Sequence, residues 1–140
     1  MARRSITLVA VLVVAILLLA SACGPTSASP EGRNWRLSAW SVSSIDPSKV
    51  TITAQISEGR IAGNSGVNSY SGACTLGPGG AFSAGPLIAT KMAGPAEAMR
   101  AESAFLILLG QARAYKVAGD TLFLYDRKGN VSLAFSSTGK

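Results

Sequence analysis

Histidine is absent from this sequence of 140 residues. That gap excludes Ser-His-Asp and Cys-His nucleophile pairs and every zinc site built on imidazole. Acid is scarce as well. The seven Asp and Glu residues are scattered, so no two carboxylates stand out as a glycosidase-type pair. Cysteine occurs only at positions 23 and 74. The 13 basic residues outnumber the acids but stand singly or in twos, without the basic runs interleaved with aromatics that track nucleic acid. Gly77-Pro78-Gly79-Gly80 lacks the Gly-Lys-Ser/Thr of a phosphate loop and reads as a turn. From this inventory no catalytic residue, metal ligand or cofactor is expected, and no nucleic-acid partner.

What is present begins at the N-terminus. Arg3 and Arg4 precede an unbroken apolar run of 13 residues, 8–20, and Ala20-Ser21-Ala22 lead into Cys23. Charge, a short apolar core and small residues are the parts of a secretory signal. A spanning helix needs about 20 apolar residues, more than this run supplies. Leu19-Ala20-Ser21-Ala22-Cys23 resembles a bacterial lipobox, although Ala20 occupies the usual leucine position. It predicts cleavage after residue 22 and lipidation of Cys23 by diacylglycerol, with acyl chains such as palmitate. The expected organisation is a signal peptide over 1–22, a lipidated cysteine and tether over 23–34, and one folded domain over 35–137. The protein is then expected in the cell envelope, membrane-anchored and facing outside the cytoplasm. Loss of Arg3 and Arg4 takes the net charge from +6 to +4, a mild attraction for anionic headgroups or wall polymers. Cys74 is left as the single free thiol, which rules out an intrachain disulfide. Nothing near it in sequence lowers its pKa, so a small buried apolar thiol is expected.

Residues 24–33 are tether by composition. Beyond them, short strands dominate. Trp35, Leu37 and Ala39 alternate with polar residues, and the alternation over residues 50–57 is the cleanest in the chain. Ser57-Glu58-Gly59-Arg60 reads as a hairpin turn into a strand through Ile61 and Ala62. Leu122 and Leu124 oppose Phe123 and Tyr125, and Arg127-Lys128-Gly129-Asn130 turns the chain into a strand through Val131, Leu133 and Phe135. Asp120 and Asp126 are expected as turn caps. Residues 95–109 are rich in helix formers, with Pro95 suited to the first turn and Gly110 to the stop. Ala98, Ala101, Phe105, Leu108 and Ala112 share one face of that helix. Phe105 is expected in the core, with Glu102 contributing far less to stability. The fold class that follows is α+β: a compact antiparallel β-rich domain with one α-helix packed on the sheet.

Several motifs follow in a characteristic order. Trp35-Arg36-Leu37 comes first, then Gly63-Asn64-Ser65-Gly66-Val67-Asn68-Ser69-Tyr70-Ser71-Gly72. Phe82-Ser83-Ala84-Gly85-Pro86-Leu87 and Thr90-Lys91-Met92-Ala93 come next, followed by Glu102-Ser103-Ala104-Phe105-Leu106 and Leu122-Phe123-Leu124-Tyr125-Asp126. This series resembles the META domain family, to which the bacterial heat-shock protein HslJ belongs. The resemblance implies a compact β-rich domain with one helix, often carried on envelope lipoproteins, and no agreed reaction. It singles out Gly63, Asn64, Gly66, Asn68, Tyr70, Gly72, Thr90 and Met92 as family-motif residues. Many relatives carry cysteine where this chain has Val67 and Gly94, so the resemblance also implies that these positions adjoin.

The motif glycines suit positive φ or close backbone approach. Asn64 and Asn68 suit side-chain bonds to nearby backbone or left-handed geometry. Tyr70 suits a buried ring with a bonded hydroxyl. A structural role for this stretch is expected over a ligand site lined by Asn64, Asn68 and Tyr70. The expected function is that of a non-catalytic envelope lipoprotein that binds another protein or an apolar ligand in envelope stress or maintenance. A stress-protective domain without a specific ligand is the alternative, and an envelope enzyme the weakest reading.

Overall fold

The computed structural model describes residues 28–42 and 44–139; Cys23 and the apolar run lie outside the described residues. Eight strands make one antiparallel sheet: β1 (Asn34–Trp40), β2 (Thr53–Ser57), β3 (Arg60–Asn64), β4 (Ser69–Leu76), β5 (Phe82–Ala89), β6 (Ala114–Ala118), β7 (Thr121–Tyr125) and β8 (Val131–Gly139). Their spatial order is β5-β4-β3-β2-β1-β8-β7-β6, two meanders joined where β1 pairs with β8. The sheet curls until its edges approach: Ala81 bridges Ala114, and the Phe82 N–H donates to the Arg113 carbonyl at 2.9 Å. Among the described residues one α-helix, α1 (Ala96–Gln111), packs on the concave side. This is the α+β architecture the sequence predicts.

Alternation decides which face of each strand is buried. Ala54 and Ile56 point inward while Gln55 and Ser57 face solvent, and Leu122 and Leu124 point inward on β7. Glu58 and Gly59, both at positive φ (50° and 72°), make the tight β2–β3 turn, with Ser57 opposite Arg60. Positive φ at both central residues matches the twist of a two-residue hairpin. From α1, Ala101, Phe105 and Leu109 enter the core fully buried. The Phe105 ring meets Tyr70 edge-on at 5.3 Å and Phe135 at 6.3 Å, joining helix, β4 and β8.

Several expectations need correction. The strand expected over residues 50–57 is laddered only from Thr53; a short 3-10 turn, Pro47–Lys49, precedes it, and Ile52 makes an isolated bridge to Ser65. The Ile52 carbonyl is taken by the Leu37 N–H at 2.9 Å, so the segment is fixed although it lies outside a named strand. The helix does not stop at Gly110. It runs to Gln111 and ends because Ala112 is drawn into the core and Arg113 is held between Tyr125 and Phe82. Leu109, not Leu108, is its fully buried leucine.

The end of the tether is part of the folded body. The Pro30 side chain is buried, the Trp35 indole donates to the Pro30 carbonyl at 2.9 Å, and the Gly32 N–H donates to Ile56 at 3.1 Å. The Arg33 guanidinium lies 4.5 Å from the Trp35 ring centroid, donates to the Gly119 carbonyl and pairs with Asp120. Composition concealed this because the packing involves mostly backbone and a proline. Asp120 is thus a partner of Arg33, whereas Asp126 does cap its turn, accepting from the backbone N–H groups of Asn130 and Lys128.

Candidate functional site

The motif stretch over residues 63–72 is a hairpin, with Gly63 and Asn64 closing β3 and Ser69 opening β4. Gly63 and Gly72 serve close approach between strands. A Cβ at Gly63 would lie 2.2 Å from the Thr53 carbonyl oxygen, and one at Gly72 would lie 2.6 Å from that of Pro86. Gly66 turns the chain at φ 124°, with the Ala98 carbonyl of α1 3.3 Å from where its Cβ would be. The Asn64 side chain accepts from the Gly66 N–H at 2.8 Å and so closes the turn.

Asn68 does not adopt left-handed geometry; among the described non-glycine residues only Glu58 has positive φ. It is instead the hub of a buried network, 1% exposed. Its Oδ1 accepts from the Thr90 hydroxyl (2.8 Å) and the Met92 N–H (2.7 Å). Its Nδ2 donates to the Met92 carbonyl (3.2 Å) and to Glu102 Oε1 (2.7 Å). Every hydrogen-bonding position of that amide is filled.

Glu102 completes the network and overturns the expectation that it matters little. It is 7% exposed, on the helix face of Phe105. Its Oε2 accepts from the Ser65 hydroxyl (2.6 Å), the Asn68 N–H (2.8 Å) and the Val67 N–H (3.3 Å). Desolvation pushes its carboxyl toward higher pKa, but the hydrogen bonds from Ser65, Asn68 and Val67 outweigh that and hold it below the ordinary value. The carboxylate is thus neutralised by aimed N–H and O–H dipoles, and one helical residue pins the β3–β4 turn and the segment after β5. The missed signal was the i, i+3 spacing of Glu102 and Phe105, which places both on one helix face.

Tyr70 is 3% exposed and donates to the Thr53 carbonyl at 2.9 Å. Burial, with Cys74 nearby, raises its pKa above that of an ordinary phenol. Cys74 itself is buried, and burial, followed by Glu31, pushes its thiol up to about 11. Met92 is 59% exposed, although Asn68 grips its backbone on both sides. Val67 and Gly94 adjoin: a Cβ at residue 94 would lie 3.4 Å from Val67 Cβ. The structure thus joins Ser65, Asn68, Thr90, the Met92 backbone and Glu102, bonds Tyr70 to Thr53 and packs it on Phe105, and leaves the Met92 side chain outside.

Among the described residues no group of three or more His, Cys, Asp or Glu is placed to hold a metal. Nor is any described helix long and apolar enough to cross a membrane. An open groove of about 590 Å³ lies between the residue 41–50 connection and the first turn of α1. Trp40, Val42 and Ile45 supply its apolar wall, with Asp46, Lys49 and Glu97 also lining it. The Trp40 indole is set by a 2.9 Å bond to the Ile45 carbonyl.

The family model described as META domain matches residues 28–139. The chain belongs to the META domain family. Its match begins at the pinned end of the tether and ends with β8, so it takes in the whole network. Two solved structures share the META fold seen here. "NMR structure of the protein from Burkholderia xenovorans" is 24% identical, with TM-score 0.66, covering 85% of this chain and 94% of that one. A second, "NMR structure of the protein", is 19% identical, with TM-score 0.58, covering 78% and 94%. A search of curated proteins finds no match.

Proposed function

We propose that this META domain is a non-catalytic binding module of a bacterial envelope lipoprotein. It is held by lipid on Cys23 outside the cytoplasm and acts in envelope stress or maintenance by engaging a protein or an apolar ligand. The observation that carries the reading is the saturation of the motif. Ser65, Asn68, Thr90 and Glu102 direct their polar atoms at one another, so the domain offers surfaces to its surroundings in place of reactive groups. The Trp40 groove is the binding surface, with an apolar wall for a side chain or acyl group and Lys49 and Glu97 to orient a polar end. The lipobox-like residues 19–23 support the anchor.

Two measurements test this. Cys23→Ala in cells fed an alkyne-tagged fatty acid should abolish both the label and the processed size; retention of both sinks the lipoprotein reading. A photo-crosslinker at Lys49 should capture one discrete adduct in membranes of heat-stressed cells, and Trp40→Ala should remove it. A protein that restores stress survival with Trp40→Ala and yields no adduct would favour the ligand-free protective role.

A further inference from the structure

A second cleft, of about 510 Å³, opens where the end of α1 meets the β7–β8 turn. Gln111, Arg113, Asp126, Arg127, Lys128 and Asn130 line it. Glu97 lines the Trp40 groove and Gln111 this cleft; at about 1.5 Å per residue the helix sets them roughly 21 Å apart. Three cations and one carboxylate meet here. The Asp126 carboxylate is taken up by its own turn: Oδ1 accepts from the N–H groups of Lys128 (2.8 Å) and Asn130 (2.9 Å), and Oδ2 from Asn130 Nδ2 (3.3 Å). Among the described residues the one ion pair is Arg33–Asp120, so Arg113, Arg127 and Lys128 have no carboxylate partner.

Arg113 is fixed in place. Its N–H donates to the Tyr125 carbonyl at 2.8 Å, and its own carbonyl accepts from the Phe82 N–H at 2.9 Å. Its Nη1 donates to the carbonyls of Gly110 (2.9 Å) and Ala112 (2.7 Å). These bonds cover carbonyls at the negative end of the helix dipole, which would otherwise repel an anion. They also hold the guanidinium still, so little side-chain entropy is lost when it binds. Its Nε and Nη2 bond to no described residue and remain as donors. Arg127 and Lys128 stand exposed on the turn beside it. An ordered guanidinium with two further cations suits a phosphate group. Charge narrows the class: three cations less one carboxylate leave +2, and a phosphate monoester carries between about −1.5 and −2 near neutral pH, more than a carboxylate. The Gln111 and Asn130 amides supply hydrogen bonds for the hydroxyls of an organic ester.

We propose that this cleft is a binding site for a phosphate monoester, gripped by Arg113 and flanked by Arg127 and Lys128. It is separate from the Trp40 groove and does not depend on Cys23. The test is proton–nitrogen NMR of the full chain in neutral maltoside micelles. One arm adds glycerol 3-phosphate; the other mixes phosphatidic acid, a lipid with the same headgroup chemistry, into the micelles. The signals of Gln111, Arg113, Lys128 and Asn130 should shift together and saturate, while those of Trp40 and Lys49 stay. Arg113→Gln should weaken binding roughly tenfold, as should Arg127→Gln combined with Lys128→Gln, whose side chains bond to no described residue. Arg100→Gln, at an exposed arginine of α1 outside the cleft, should leave binding unchanged. Saturation by glycerol 3-phosphate supports the site with a soluble ester as its ligand; saturation by phosphatidic acid alone supports it with a lipid headgroup. The site is overturned if folded protein shows no saturable shift with either. Shifts that acetate reproduces at equal concentration, or that survive loss of Arg127 and Lys128, overturn it as well.

Discussion

Replacing Glu102 by alanine should damage this domain about as much as emptying its core. The carboxylate accepts from Ser65, Val67 and two groups of Asn68. After truncation the Ser65 hydroxyl can still reach the Asn68 carbonyl at 2.8 Å, and the Val67 bond, at 3.3 Å, is the weakest of the set. The Asn68 N–H and Nδ2 are left without that acceptor, inside a body where Asn68 is 1% exposed. At about 1–3 kcal/mol for each stranded donor, the loss is on the order of 2–6 kcal/mol. Phe105→Ala, which empties a fully buried site touching Tyr70 and Phe135, should cost about 3–5 kcal/mol. Urea unfolding followed by fluorescence, with Trp35 the buried reporter, compares the two variants directly. The pH dependence adds a second readout. The folded carboxyl titrates below its ordinary value of 4.5, so its contribution is complete above about pH 4.5 and lost as pH falls through the lower folded value. The gap between wild type and Glu102→Ala should therefore narrow in acid. A loss below about 1 kcal/mol at neutral pH would refute the claim that the network holds the turn to the helix.

Three further outcomes can be checked independently. Val67→Cys with Gly94→Cys, in a Cys74→Ser background, should oxidise under mild conditions, since the two Cβ positions lie 3.4 Å apart. Closing that loop should add roughly 3–4 kcal/mol before strain; thiols that stay free in folded protein would contradict the geometry. Gly94→Ala alone should destabilise the protein, because its Cβ would lie 2.7 Å from a Val67 methyl, and Val67→Ala should restore much of the loss on thermal melting. In lipidated protein Cys74, with its thiol pushed up to about 11, should resist a disulfide reagent at pH 8 until urea is added, and prompt reaction in the folded state would mean the site opens.

Local chemistry made much of this fold legible in the sequence. Alternation placed Ala54 and Ile56 inward, and the Glu58-Gly59 turn and the β7–β8 hairpin followed from turn residues, because each of these depends on neighbours a few positions away. The helix and its anchor Phe105 were legible for the same reason. Where elements ended was less so. Gly110 has no intrinsic power to stop a helix whose next residues are drawn toward the core, and Pro30 gave no hint that Trp35 would hold it.

For the candidate site, sequence supplied the residues and tertiary structure supplied their relations. The motif order pointed to Asn68, Tyr70 and Thr90, and to Val67 and Gly94 as neighbours, but Glu102 carried the ordinary signature of a solvated helical acid. Its role exists only because the β3–β4 turn, the segment after β5 and the middle of α1 converge, bringing donors 34 to 37 residues away in sequence onto one carboxylate. The i, i+3 spacing to Phe105 could place Glu102 on the buried helix face, but a charge becomes buried and satisfied together with its partners or not at all, so no window of sequence around Glu102 names its donors.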